Sequence, residues 1–275
     1  MADPSGLGEL VDRVVRDNRT TIAVVFPIVG AGVLVASAAG LLPSWLAYSP
    51  VAILFGVAVM RLPLVGTLAP LVTRRAGTAL VGLAAYTYAV EYVGLTTGVP
   101  YGSFAYGVAL GPAVAGVPAA LPVLFVPLVV NAVFLATLLA PGVTRGRRIG
   151  LAIAIVVAVD LVLDPAAVAV GFWTYTAPGP YYGVPVSNYL GWVLSATVAV
   201  AIIDAGFDGD ALAARVRATP YALDDFVSFT LLWGGVNLYY GHAVPVLVTV
   251  ALVVALATVD GFDVAVPFDA RRDPR

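Results

Sequence analysis

Apolar runs long enough to cross a bilayer recur along almost the whole chain, and this limits its fold more than any other feature. A hydrocarbon layer of about 30 Å takes roughly 20 helical residues. Runs of about that length are expected at 20–41, 50–72, 77–95, 119–140, 149–171, 187–203, 222–240 and 243–259. Within lipid every backbone amide and carbonyl must find a partner inside the protein, which leaves helices or a closed barrel. Continuous apolar runs select helices, so the expected fold is an all-α polytopic transmembrane bundle of about eight spans, within a range of about 7 to 9. Composition agrees: 61% of residues are hydrophobic and 11% charged, against roughly 25% charged in soluble domains. A single transmembrane domain over 20–260 is expected, flanked by a short N-terminal segment, 1–19, and a tail, 261–275.

The cations set an expected orientation. All 14 are Arg. Arg13, Arg16 and Arg19 precede the first run, Arg74 and Arg75 follow the second, and Arg145, Arg147 and Arg148 follow the fourth. Arg215 and Arg217 follow the sixth, and Arg271, Arg272 and Arg275 end the chain. The alternate connections, 42–49, 96–118 and 172–186, carry none. Positive charge stays on the cytoplasmic side, so both termini are expected there, in a multi-pass protein of the cell membrane. Ala36-Ser37-Ala38 could be read as a signal-peptidase site, but the preceding segment mixes acids with arginines and the apolar run continues past it.

Several chemistries have no support. There is no Cys and one His, so neither disulfides, thiol ligands nor a metal centre is expected. There is no Walker loop, no GxGxxG after a strand, and no basic patch with interleaved aromatics for nucleic acid. The all-Arg cation set with abundant Ala, Val and Asp fits a GC-rich, halophilic source.

Three acids, Glu91, Asp160 and Asp164, lie within apolar runs rather than in termini, loops or span ends. A charge at mid-bilayer costs roughly 2.5 to 3.5 kcal/mol, which makes an intramembrane carboxyl a candidate for function. Asp160 and Asp164 are one helical turn apart on one face. Two carboxyls that close cannot both ionise cheaply in a low dielectric, so one is expected to hold a proton. Pro165 removes the amide that would bond the carbonyl of Leu161 and is expected to kink the helix. With about 1.5 Å of rise per residue, Glu91 falls about one turn below the outer surface, Asp164 about two, and Asp160 near the midplane. Arg61, the one arginine inside a run, falls at a similar depth and is expected to pair with Asp160. Asn188, Trp192, Asn237 and His242 project from the outer ends of neighbouring runs. The charge-free connections above them are rich in Tyr, Trp, Gly and Pro, which suits the headgroup region or a lid on the bundle.

Two ordered motifs carry a resemblance. Glu91-Tyr92-Val93-Gly94 followed by Gly98-Val99-Pro100-Tyr101-Gly102-Ser103-Phe104-Ala105-Tyr106 is the first. Asp160-Leu161-Val162-Leu163-Asp164-Pro165, Trp173, and Tyr181-Tyr182-Gly183-Val184-Pro185 through Asn188, Gly191 and Trp192 form the second. Together they resemble the membrane carotenoid hydratase family over roughly residues 50 to 260. The resemblance implies addition of water to terminal isoprenoid double bonds of an acyclic C50 or C40 carotenoid, giving tertiary alcohols without a cofactor. It implies as partners membrane lipids and the preceding membrane enzymes of the pathway, and no nucleic acid. It does not assign roles to individual residues.

The residues themselves suit that chemistry. Alkene hydration needs a proton donor, a stabilised tertiary cation and a delivered water. A neutral carboxylic acid in an apolar site can donate, and an adjacent carboxylate can orient water and accept its proton. Asp164 is expected as donor and Asp160 or Glu91 as base. Tyr101, Tyr182 and Asn188 are expected to line the pocket, with Trp173, Tyr175 and Trp192 facing the cation. Three rival readings use the same residues: a transporter or proton pathway, an intramembrane prenyltransferase, and a non-catalytic carotenoid-binding subunit. The first predicts acids through the full depth of the bundle, and the second a denser acidic cluster for magnesium diphosphate. The third predicts indifference to carboxyl-to-amide changes.

Overall fold

The computed structural model describes residues 4–259; the tail 261–275, with Arg271, Arg272 and Arg275, lies outside the described residues. The fold is a helical bundle. Helix α1 spans Pro4–Asp17, and a π-helical turn, Thr21–Val25, leads into α2 (Phe26–Ala38). Then come α3 (Pro50–Met60), α4 (Leu62–Leu68), α5 (Arg74–Thr97), α6 (Leu121–Leu139) and α7 (Arg145–Ala169). After these follow α8 (Val186–Gly206), α9 (Gly209–Ala218), α10 (Asp224–Tyr239) and α11 (Ala243–Ala257).

All eight expected runs are helical, but not all are of span length. Among the described residues five helical stretches are long and apolar enough to cross a membrane, and α3 with α4 makes a sixth if that pair, bent by 43°, counts as one. The last two, α10 and α11, have 16 and 15 residues, roughly 24 Å and 23 Å of rise. The bend falls at Arg61, where the proline two residues later, Pro63, has no amide to bond the preceding turn.

Sidedness of the side chains marks a membrane protein. Val51, Phe55, Val81, Leu190 and Leu247 point outward, more than 60% exposed, while Asn131, Asp160, Asp225 and Asn237 are buried at 1% or less. A water-soluble fold would reverse the two sets.

Prolines within the bundle free backbone carbonyls, and at three of them another element returns a donor. Phe26 bonds Thr21 in the π register, so residue 27 would next address Ile22; it is Pro, and the Ser228 hydroxyl donates to the Ile22 carbonyl at 3.4 Å. Pro70 leaves the Gly66 carbonyl free, and Arg215 donates to it at 2.9 Å. Pro165 frees Leu161, whose carbonyl accepts from the Tyr181 hydroxyl at 3.2 Å, while Asn237 donates to the next carbonyl, Val162, at 2.8 Å. Helix α7 runs through Pro165 to Ala169 as one element, with the Tyr181 hydroxyl standing in for the missing amide. Such repair is what a proline in a lipid-embedded helix requires.

The two ends of the bundle differ. One gathers arginines with the acids they pair: Arg145 and Arg148 with Asp204, Arg16 with Asp12, and Arg19 with Asp224. At the other, the two charge-free connections join. Strand β1 (Phe104–Tyr106) lies in the first, beside a small hairpin of β2 (Ala113–Val114) and β3 (Val117–Pro118). Strand β4 (Trp173–Tyr175) lies in the second and pairs antiparallel with β1, Phe104 opposite Tyr175 and Tyr106 opposite Trp173. An all-helical expectation contains no such ribbon. Its pleat sends alternate residues to opposite faces, so Ala105 and Thr174 are exposed while the four aromatics turn in toward the helices.

Candidate active site

Beneath the ribbon is an apolar cavity of about 340 Å³, walled by α2, α3, α6, α7 and the outer connections. That size is typical of small-molecule sites. Its polar lining includes Glu91, Asp164 and Asn188, and its aromatic lining includes Trp173, Tyr175, Trp192 and Trp233.

The acids are placed by three elements. Asp160 and Asp164 stack one turn apart on α7, both buried. Asn188, near the start of α8, donates from its one amide nitrogen to Oδ2 of both, at 3.1 Å to Asp160 and by a shorter bond to Asp164. Two carboxyls sharing one donor are close enough for a single proton to serve both. Tyr175, carried by β4, donates to the same Asp164 oxygen at 3.1 Å. Glu91 on α5 accepts from Tyr106 of β1. Each strand of the ribbon therefore delivers a phenol to an acid on a different helix.

Tyr101 is seated by two glycines. A Cβ at Gly191 would stand 2.7 Å from its ring and 3.1 Å from the Pro100 backbone, and one at Gly94 would stand 3.1 Å from the ring. The ring thus lies between α5 and α8, its hydroxyl 2.6 Å from that of Ser195 and its face tilted against Trp192, which stacks on Phe125 at 5.2 Å. Gly191→Ala is expected to cost about 1 to 3 kcal/mol through overpacking. Gly82→Ala, where nothing lies within 4 Å, should be silent; thermal unfolding in detergent compares the two.

Of the residues singled out in the sequence, Arg61, Glu91, Asp164, Tyr101, Trp173, Tyr175, Asn188 and Trp192 come together around the cavity. Asp160 lies behind Asp164, joined to the group through Asn188 and outside the cavity lining. Tyr182, Asn237 and His242 form a separate cluster: the Tyr182 ring lies 4.5 Å from that of His242, whose Nδ1 is 2.9 Å from the Asn237 side-chain oxygen.

The expected Arg61–Asp160 pair is not formed. Arg61 pairs with Asp225 at the start of α10, and Asn131 of α6 donates to the other oxygen of that carboxylate. Position along the chain assigned Asp225 to a solvated span end, but packing buries it completely, and a buried carboxylate takes the nearest cation. The Asp-Asp pair at 224–225, with Arg61 inside an apolar run and Arg19 next to one, was the available signal. Phe104, Tyr106, Phe125 and Trp233 were also not singled out as site residues; the alternation Phe-Ala-Tyr in one charge-free connection, matched by Trp-Thr-Tyr in the other, was the signal for the first two. Among the described residues no group of three or more His, Asp or Glu is arranged to hold a metal.

Buried carboxyls under an aromatic ribbon, at one end of a lipid-facing helical bundle, define a membrane protein built to hold an apolar molecule against acids. The chain belongs to the carotenoid biosynthesis protein family, whose pattern it matches over residues 48–256, a range that includes the acids, Asn188 and the aromatic residues named above but not the α2 wall of the cavity. It is 54% identical over 255 residues to the bisanhydrobacterioruberin hydratase of Haloarcula japonica, an alignment covering 92% of this chain and 87% of that protein. No solved structure matches the chain.

Proposed function

We propose that this protein is a carotenoid hydratase that adds water across the terminal isoprenoid double bonds of an acyclic carotenoid, converting bisanhydrobacterioruberin to bacterioruberin. The observation that carries the reading is the pairing of a hydrogen-bonded acid group with aromatic faces in one apolar cavity, in a chain so similar to a hydratase of that name. Asp164, which lines the cavity, protonates the terminal alkene and leaves a tertiary cation. The faces of Trp173, Tyr175 and Trp192 stabilise that cation by about 0.5 to 2 kcal/mol each. A water then attacks, and Asp160 or Glu91 takes its proton. These steps need no cofactor. Tyr175 and Asn188 hold Asp164 in place, and the apolar wall keeps stray water from the cation. Tyr106 holds Glu91 in the same way.

The arginine-rich end of the bundle faces the cytoplasm of a cell-membrane protein in this reading, with the ribbon and cavity in the outer half. The carotenoid enters from the lipid, and the enzymes that make the precursor work in the same membrane. The transporter reading is less favoured, because the buried acids at the arginine end, Asp224 and Asp225, are taken up in ion pairs with Arg19 and Arg61.

A single one-sided cavity takes one end of a long carotenoid at a time. Expressed in a host that accumulates the acyclic precursor, the protein should yield a product heavier by one water first and by two waters later, as followed by mass spectrometry. An unchanged precursor would refute the function. Appearance of the two-water product with no one-water intermediate would refute the one-end geometry.

A further inference from the structure

Two buried polar atoms beside the acid pair have no hydrogen-bond partner: Oδ1 of Asp160 and the hydroxyl of Tyr189. Buried polar atoms are nearly always paired, and an ordered water is the usual partner when protein is not. The two belong to one neighbourhood. Asn188, next to Tyr189 in α8, touches Oδ2 of the same Asp160 carboxyl. The Tyr189 ring stands edge-on to that of Tyr181 at 5.5 Å, and the Tyr181 hydroxyl bonds the carbonyl of Leu161, the residue after Asp160. Neither Asp160 nor Tyr189 lines the apolar cavity, whereas Asp164 and Asn188 do. The acid pair therefore adjoins the lipophilic chamber through Asp164 and the unpaired oxygens through Asp160.

We propose that Asp160 Oδ1 and the Tyr189 hydroxyl form a small polar niche holding the water that is consumed in hydration, so that the water meets the acid pair at Asp160 and the carotenoid meets it at Asp164. The inference rests on the hydratase reading and decides between its two candidate bases in favour of Asp160. The proton balance closes within the pair. The O–H bond of neutral Asp164 breaks and its proton forms a C–H bond at the alkene terminus. The oxygen of the held water forms the C–O bond to the cation, and its proton passes to the Asp160 carboxylate. Transfer of that proton from Asp160 to Asp164, both held by Asn188, restores the starting state. Tyr189 touches the water and not the carotenoid, so it is a positioning residue.

Tyr189→Phe removes the hydroxyl and keeps the ring. The expected result is a kcat lowered about tenfold, the order of one lost hydrogen bond in a reacting complex, with KM for the carotenoid unchanged. Tyr189→Ala enlarges the niche, so in buffer containing methanol its products should include a larger fraction of methyl ether than the wild type forms. Unchanged kcat and unchanged ether fraction would overturn the proposal. So would parallel losses in KM and thermal stability, which mark a packing role. Infrared difference spectra between H2-16O and H2-18O provide a readout independent of activity. A band of an internal water that is present in the wild type and lost in Tyr189→Phe supports the niche, and its persistence in that variant, or its absence from the wild type, contradicts it. A wild type that shows the water band but forms no alcohol would refute the hydratase reading and leave the water site standing.

Discussion

Asp164→Asn is expected to lower the hydration rate by about 10²- to 10⁴-fold, the range typical of a lost general acid, while the protein still inserts and folds. The amide is nearly isosteric and its oxygen can still accept from Tyr175 and Asn188, the two donors that hold the carboxyl now. What it cannot do is give a proton to an alkene. Product formation by variant and wild type, normalised to folded protein by size-exclusion chromatography, measures the effect. Tyr175→Phe should fall between the two, because it removes one donor to Asp164 and leaves the acid. A stably inserted Asp164→Asn that turns over at the normal rate would exclude Asp164 as the donor.

Arg61→Gln is expected to destabilise the protein by about 3 to 5 kcal/mol, the usual cost of leaving one member of a buried ion pair alone. Asp225 is fully buried, and without Arg61 it keeps Asn131 as a partner but loses its ion pair. Replacing both members, Arg61→Met with Asp225→Leu, should recover most of the loss, since neither charge is then stranded. Equilibrium unfolding in detergent measures both. Little change in Arg61→Gln would show that the pair carries no structural weight. The main loss should appear as instability, because Arg61 pairs with Asp225 and not with the Asp160–Asp164 carboxyls.

The helical class and the two-ended character could be read from the sequence because bilayer thickness and charge placement act on local runs of residues. Span count could not be read as safely. Arg61 and Pro63 break a run that looks continuous by hydropathy, and α10 with α11 falls short of the length the apolar pattern suggests. The i, i+4 acids of α7 and the carbonyl freed by Pro165 follow from helix geometry alone; the partner that repairs that carbonyl, Tyr181, does not, since it lies 20 residues away across a loop. The β1–β4 ribbon was hidden for the same reason. Three-residue strands from connections about 70 residues apart leave only a brief alternation in each, and their pairing is a tertiary fact. Arg61 shows the limit of arguing from depth: several acids share a level of the bundle, and packing decides which one a cation meets.

If this cavity adds water to a terminal alkene with its own carboxyls, purified protein in lipid nanodiscs, given an acyclic carotenoid in H2-18O with no added metal or nucleotide, yields a tertiary alcohol carrying one 18O for each hydroxyl gained. Asp164→Asn in its place yields none. Recovery of unaltered carotenoid, or of an alcohol whose oxygen comes from dissolved O2, would contradict that chemistry.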